Sequence, residues 1–351
     1  MTKSKIISCR AVAVLVMVAG AVRGETLREL AEKRGVLLGS AHSGRSADAK
    51  YLDVMAREFN LVEPENATKF GPIHPSQDTF RFETADAVVA YGAAHGMKVR
   101  GHTMVWHQQN PKWVTEGGFT PSQLSEILHQ HILTVAGRYR GKIFAWDVVN
   151  EAFLDDGSLR ETVWRNKPGI GLEGTAYMEQ AFRWAREADP KALLFYNDYS
   201  AEGMNKKSDA VYAMAKDFKA RGVPIDGIGL QAHLMLRSAG NLASIESNIK
   251  RITELGLQVH ITELDVRIPV DAAGKASAAD IEAQGRLYKG VAAICLKYPL
   301  CTAIQTWGFT DKYSWIPRTY PGFGAALLMD GDFQPKPAYV GLRDALILAP
   351  K

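Results

Sequence analysis

Short apolar runs recur along the chain, and longer amphipathic stretches separate them. Several of these runs are rich in Val, Ile and Leu, which is typical of parallel strands that are covered on both faces. The predicted strands are Val36–Ala41, Leu61–Glu65, Lys98–Thr103, Ile143–Val149, Ala192–Tyr196, Ile228–Gln231, Gln258–Thr262 and Thr302–Trp307.

Helical periodicity fills most of the stretches between these strands. The predicted helices are Ala47–Glu58, Thr84–His95, Ser122–Tyr139, Tyr177–Ala188, Lys207–Arg221, Ser244–Leu255 and Ala279–Lys297. Eight strands that alternate with helices predict an α/β fold, a single (β/α)8 TIM barrel, because short right-handed connections leave few other closures.

Polar or aromatic side chains follow all eight predicted strands. The carboxyl ends of barrel strands open on one face, and that face carries the active site. The residues at these ends are Ala41-His42, Glu65-Asn66, His102 through His107, Asn150-Glu151, Asn197-Asp198-Tyr199, Gln231-Ala232-His233, Glu263-Leu264-Asp265 and Trp307. This clustering predicts an active site at the barrel mouth, since a purely structural barrel would carry caps and glycines there.

The first 24 residues have the layout of an export signal. Lys3, Lys5 and Arg10 form a basic start, residues 11–22 are apolar or small, and small residues up to Gly24 offer cleavage sites. That layout is typical of a secretory signal peptide, and the apolar run is shorter than the roughly 20 residues of a membrane-spanning helix. The sequence therefore predicts a signal peptide over residues 1–24, a catalytic domain over residues 25–351, and secretion to an extracellular or periplasmic space.

Removal of this segment changes the charge of the chain. The formal net charge is +4, and the segment holds four basic residues and no acidic one, so the remaining chain is formally neutral. A neutral surface argues against nucleic-acid or membrane-surface partners and permits a neutral, hydrated polymer. No feature demands an oligomer, so a monomer is expected.

Two of the three cysteines, Cys295 and Cys301, lie outside the predicted signal. An even pair in an exported chain predicts a disulfide. Two free buried thiols are the alternative, because cysteine packs well at the end of a helix and the start of a strand.

Glu151 and Glu263 follow the fourth and seventh predicted strands. Such a pair across one barrel mouth suits glycosidic cleavage, in which one carboxyl protonates the leaving sugar while the other, ionised, attacks or positions water. Amides at the mouth would hold sugar hydroxyls, and indoles at its rim would stack on sugar faces. These residues are Asn66, Asn150, Gln231, Trp106, Trp307 and Trp315.

Seven segments, in one order and at barrel-compatible spacings, carry a specific family resemblance. They are Glu65 to Phe70, Gly101 to His107, Trp146 to Glu151, Tyr196 to Tyr199, Gln231 to His233, Ile261 to Asp265 and Thr306 to Trp315. With these motifs the chain closely resembles glycoside hydrolase family 10, the endo-β-1,4-xylanases, from about Leu27 to Leu346. The resemblance implies hydrolysis of internal bonds of xylan with retained configuration and no cofactor or metal.

The resemblance also implies roles for particular residues. Glu151 would be the general acid/base and Glu263 the nucleophile. Asn150 would bind the sugar 2-hydroxyl beside the cleaved bond, and His233, with Asp265 behind it, would orient Glu263.

Substrate contacts are implied in the same way. Tyr199 would lie towards the aglycone side and Gln231 near the reacting centre. The residues expected to line the remaining, mainly glycone, subsites are Glu65, Asn66, Lys69, His102, Trp106, His107, Gln109, Trp307 and Trp315. Gln108 and Phe70 depart from the residues usual in the family, which affects the expected subsite affinity and leaves the reaction unchanged.

Other interpretations compete with this one. Gly169 to Gly174 matches the dinucleotide fingerprint, but Pro168 argues against the strand that must precede it, so a loop before the helix at Tyr177 is favoured. A metal site is suggested by three histidines, His102, His107 and His233, yet hydrogen bonding to sugar or to Glu263 explains their presence at the mouth better. A non-catalytic carbohydrate-binding barrel, and a β-1,4-glucanase or mannanase on the same barrel, also stay open.

Overall fold

A computed structural model describes residues 24–237 and 242–348 of the chain. The predicted signal peptide lies outside the described residues except for its last residue, Gly24. Within the described ranges, no helix is both long and apolar enough to cross a membrane.

A closed parallel sheet forms the centre of the molecule. The strands are β1 (Leu37–His42), β2 (Leu61–Pro64), β3 (Lys98–Val105), β4 (Ala145–Asn150), β5 (Leu193–Asp198), β6 (Gly227–Leu230), β7 (His233–Met235), β8 (Gln258–Pro269), β9 (Cys301–Thr306) and β10 (Phe323–Gly324). The order β8-β6-β5-β4-β3-β2-β1-β9 is closed by parallel pairing of β8 with β9. The eight predicted strands correspond to β1–β6, β8 and β9, so the predicted (β/α)8 barrel is confirmed.

Helices follow the strands and cover the outside of the sheet. They are α1 (Leu27–Arg34), α2 (Ala49–Glu58), α3 (Phe70–Ile73), α4 (Glu83–Ala94), α5 (Lys112–Thr115), α6 (Pro121–Arg138), α7 (Ala176–Ala188), α8 (Lys206–Ala220), α9 (Leu242–Glu254), α10 (Ala278–Lys297), α11 (Ile316–Thr319), α12 (Pro337–Leu348) and the 3-10 turn Asp311–Tyr313. The seven predicted helices correspond to α2, α4 and α6–α10. The Gly169–Gly174 segment is a loop before α7, as the sequence predicted.

The terminal helices α1 and α12 were not predicted. They pack against each other, and α12 also packs against α10. The contact with α10 is close, because a Cβ on Gly341 would lie only 2.1 Å from the carbonyl oxygen of Gly285. Small residues at this crossing therefore let the last helix cover the barrel wall.

Strand β8 is longer than predicted. Its expected end was Thr262, but it continues to Pro269 and pairs with β7 and with the antiparallel β10 along this extension. Side chains two residues apart in a strand share a face. Glu263, Asp265 and Arg267 therefore lie on one side of β8.

A disulfide links the end of α10 to the start of β9. Cys295 and Cys301 have an S–S distance of 2.04 Å and a Cα–Cα distance of 5.2 Å. The predicted bridge is confirmed.

The packing of β3 against β4 depends on the absence of a side chain at Gly101. A Cβ built there lies 2.2 Å from ring carbons of Trp146, which is fully buried. Because core side chains have little room to move, Gly101→Ala should lower the free energy of unfolding by about 1–3 kcal/mol in chemical denaturation. Gly137→Ala in α6 is the matched control, since a Cβ there meets no atom within 4 Å. Equal stability of the two variants would contradict this packing.

Candidate active site

A groove with a volume of about 650 Å³ opens at the carboxyl ends of the barrel strands. It contains Glu151, Glu263 and His233 together with every predicted substrate-binding residue. Those residues are Glu65, Asn66, Lys69, His102, Trp106, His107, Gln109, Tyr199, Gln231, Trp307 and Trp315. The other two predicted residues, Asn150 and Asp265, are buried, and each is hydrogen-bonded to a groove residue.

Glu151 is the residue that follows β4, and its backbone is left-handed, with φ of +57°. Such a conformation costs a non-glycine residue about 1–3 kcal/mol, and it is held here by the surrounding hydrogen bonds. The Trp106 indole donates to Oε2 at 2.8 Å, while Gln231 and Asn150 donate to Oε1 at 3.0 and 3.1 Å. Both carboxyl oxygens are thus fixed by uncharged donors.

Glu263 is held by a different pair of donors. The Asn197 amide donates to its Oε1 at 2.8 Å, and His233 Nε2 lies 3.0 Å from its Oε2. Asn197 also donates to Asn150 Oδ1 at 2.9 Å, so one amide connects the surroundings of the two glutamates. Gly229 leaves room for this amide, because a Cβ there would lie 2.3 Å from Asn197 Oδ1.

His233 lies between two carboxylates. Its Nδ1 is 2.9 Å from Asp265 Oδ2, which also accepts a hydrogen bond from the Trp315 indole at 2.8 Å. Burial alone would lower the pKa of His233, but Asp265 and Glu263 together raise that pKa well above its usual value. A protonated His233 donates from both ring nitrogens and places a positive charge beside Glu263.

One end of the groove combines a buried amine with two indoles. Lys69 Nζ donates to Asn66 Oδ1 at 3.0 Å and lies 4.8 Å from the ring centre of Trp106 and 5.6 Å from that of Trp307. Burial lowers the pKa of Lys69, and the carboxylates of Glu263 and Glu65 act in the opposite direction. A polar group between aromatic faces suits a sugar ring, which presents hydroxyls at its edge and C–H groups on its faces.

Tyr199 and His107 also lie near Glu151. Arg160 donates to the Tyr199 hydroxyl at 3.0 Å and to the backbone oxygen of Glu151 at 3.1 Å. His107 Nδ1 lies 3.8 Å from Glu151 Oε2. Burial, with the charge of Arg160, lowers the pKa of His107 to about 4, so this ring is neutral at neutral pH.

A buried ionic cluster forms the floor below the groove. Glu63, His102 and Asp147 present ligand atoms within 4.8 Å of one another, which is a spacing that a metal ion could bridge. Arg100 Nε, however, donates to Asp147 Oδ2 at 3.2 Å and lies 3.6 Å from Glu63. The guanidinium already pairs with Asp147, and burial raises the pKa of Glu63 well above its usual value, so the cluster does not fit a metal site.

Seven residues line the groove that the sequence did not assign to it. They are Gln108, Arg160, Ser200, Arg267, Arg318, Thr319 and Tyr320. Arg267 could have been found, because it continues the alternation of Glu263 and Asp265 along one strand. The segment with Arg318 carries no such periodicity, since it approaches the groove only through the turn at α11.

Comparison with known proteins identifies the family. The family model described as glycosyl hydrolase family 10 matches residues 26–345. Endo-1,4-beta-xylanase B of Thermotoga neapolitana is 43% identical over 324 residues, which cover 91% of each chain.

Solved structures agree with this match. The crystal structure of native xylanase 10B from Thermotoga maritima is 44% identical, with a TM-score of 0.86 over 92% of this chain and 98% of that one. Xylanase 10B from Thermotoga petrophila RKU-1 in complex with xylobiose is 43% identical, with a TM-score of 0.88 over 93% and 99%. This barrel, with two glutamates facing one groove, belongs to glycosyl hydrolase family 10.

Proposed function

We propose that this chain is a secreted endo-β-1,4-xylanase that hydrolyses internal bonds of xylan by a retaining double displacement. The observation that carries the proposal is that Glu151 and Glu263 face one groove and are each held by their own set of donors. Relatives named as endo-1,4-beta-xylanases, and a similar structure that holds xylobiose, support the choice of substrate.

In the first step Glu263 acts as the nucleophile. One of its oxygens bonds to the anomeric carbon while the bond to the leaving sugar oxygen breaks, and Glu151 gives its proton to that oxygen. His233 and Asn197 hold the attacking carboxylate, and the positive charge of His233 lies at hydrogen-bond distance from it. Asn150 donates to Glu151 and accepts a hydrogen bond from Asn197, which also donates to Glu263. From this position between the two glutamates it is suited to bind the hydroxyl beside the reacting carbon.

In the second step Glu151 acts as a base. It takes a proton from water, the water oxygen bonds to the anomeric carbon, and the bond to Glu263 breaks. Two inversions at one carbon restore the original configuration. This mechanism requires the two carboxyl groups to be about 5–5.5 Å apart.

The groove suits a polymer of uncharged sugars. Indoles at Trp106, Trp307 and Trp315 offer stacking surfaces, while Asn66 and Gln231 offer amides for hydroxyl groups. We extend the proposal to export through residues 1–24 and to a mature domain over residues 25–351, on the basis of the basic-apolar-small layout of the N-terminal segment. We also propose a monomer, because no feature of the sequence demands an oligomer.

The two glutamates should differ in how their loss affects each step. Glu263→Ala should reduce xylan hydrolysis by at least about 10³-fold, because no other group can form the glycosyl intermediate. It should still bind xylo-oligosaccharides, as measured by calorimetry. Glu151→Ala should instead retain cleavage of an aryl xyloside whose leaving group needs no proton, with the intermediate accumulating.

Glu282→Ala is the control for both variants, because Glu282 is an exposed carboxylate of α10 on the outside of the barrel. Rapid turnover by Glu263→Ala with weakened binding would contradict the nucleophile assignment.

Substrate class is tested by reducing-sugar release from xylan, carboxymethyl cellulose and mannan side by side. The proposal predicts release mainly from xylan, with early products of mixed length that indicate internal cleavage. Release mainly from cellulose or mannan would show that the substrate is another β-1,4-glycan and not xylan. No release from any of the three by the folded protein would favour a non-catalytic carbohydrate-binding barrel.

A further inference from the structure

Three arginines line the groove, Arg160, Arg267 and Arg318, and none of them lies within 4.0 Å of a carboxylate oxygen of a described Asp or Glu. Arg160 donates to the Glu151 backbone oxygen at 3.1 Å and to the Tyr199 hydroxyl at 3.0 Å, whereas Arg267 has a longer hydrogen bond, 3.4 Å, to the His233 backbone oxygen. The residues outside the described ranges contain no Asp or Glu side chain. Arg267 and Arg318 therefore bring to the groove positive charge that no described carboxylate pairs.

Arg267 is held in place by its neighbours. Its guanidinium carbon lies 4.3 Å from the ring centre of Tyr320, and its Nη1 is 3.4 Å from the His233 backbone oxygen. Tyr320 in turn packs edge-on against Trp315. The guanidinium thus lies beside His233 and the Tyr320 ring. We call this part of the groove, formed by Arg267, Trp315, Arg318 and Tyr320, the wall.

Arg318 lies on the same wall, in α11 directly after Trp315. It is exposed, and both Arg318 and Glu65 line the groove. Burial raises the pKa of Glu65, and the charges of Lys69 and, to a smaller extent, Arg318 act against that rise. Arg267 therefore lies beside His233, and Arg318 is close enough to Glu65 for its charge to act on that carboxyl.

An unbranched xylose chain has no charge for these arginines to bind. Hydroxyl groups can be held by amides such as Asn66 and Gln231, which avoid the cost of desolvating an unpaired cation. The planar guanidinium fork matches a carboxylate, with which it forms two parallel charged hydrogen bonds. The chemistry of the wall is that of a carboxylate-binding site.

We infer that Arg267 and Arg318 bind the carboxylate of uronic-acid branches, so that acidic xylan is a preferred substrate. The inference rests on the proposed xylanase function. It makes the two arginines specificity-determining residues and gives them no part in bond cleavage. The wall has a constant position relative to Glu263, which marks the bond that is cleaved. The branch should therefore always lie at the same number of sugar units from the new reducing end of the product.

The test compares kcat/KM on three xylan oligosaccharides of one backbone length: unbranched, glucuronic-acid-branched and arabinose-branched. In Arg267→Gln/Arg318→Gln, the acid-branched to unbranched ratio should fall about three- to tenfold relative to wild type. The arabinose-branched to unbranched ratio should not change. Arg318→Lys, which keeps the charge, should restore part of the preference relative to Arg318→Gln.

Salt provides an independent measurement, because partly exposed charges are screened. Raising the salt concentration should lower the acid-branched to unbranched ratio in wild type and leave it flat in the double variant. Arg286→Gln is the matched control, since Arg286 is an exposed arginine of α10 outside the groove. It should behave as wild type on all three substrates.

The failure of this inference differs from the failure of the proposed function. If the double variant loses activity on all three substrates in proportion, the arginines bind the neutral backbone and the inference is overturned. If its ratios equal those of wild type, the wall does not select branches, and the inference is again overturned. Absence of wild-type activity on all three oligosaccharides would overturn the xylanase proposal itself.

Discussion

Closure of the barrel by β9 is the constraint on which the active site depends. β9 pairs in parallel with β1 on one side and with β8 on the other. All eight barrel strands then end at one mouth, and Glu151 after β4 meets Glu263 from β8 although more than a hundred residues separate them. Because Glu263 lies within a strand and Glu151 follows one directly, rigid backbone sets their separation and flexible loops contribute little.

The two glutamates lie in different environments. Glu151 accepts hydrogen bonds from neutral groups only, namely Trp106, Asn150 and Gln231. Glu263 has a cationic His233 at hydrogen-bond distance, and Asp265 on the far side keeps that ring charged and oriented. Donors that are fixed before substrate arrives need no rearrangement during reaction, which is how a preorganised site lowers a barrier.

Much of this arrangement could be predicted from the sequence. Regular alternation of apolar runs and amphipathic stretches revealed the eight strands, and the polar residues after them pointed to the mouth. The polar-apolar alternation from Glu263 to Ile268 could have indicated the extension of β8, but its pairing with β7 and β10 joins chain segments that no local pattern connects. The left-handed backbone of Glu151 could not be predicted either, because the residue is not a glycine and tertiary hydrogen bonds hold its conformation. For the same reason Arg318 could not be placed in the groove, because its position depends on a short turn.

The configuration of the first sugar product tests the central claim most directly. Proton NMR of a β-linked xylo-oligosaccharide during hydrolysis, recorded before the anomers equilibrate, follows the new reducing end. If Glu263 is a nucleophile that forms a glycosyl intermediate, the β-anomer appears first and the α-anomer grows only by mutarotation. Initial formation of the α-anomer would mean direct attack by water, and would contradict the roles assigned to both glutamates.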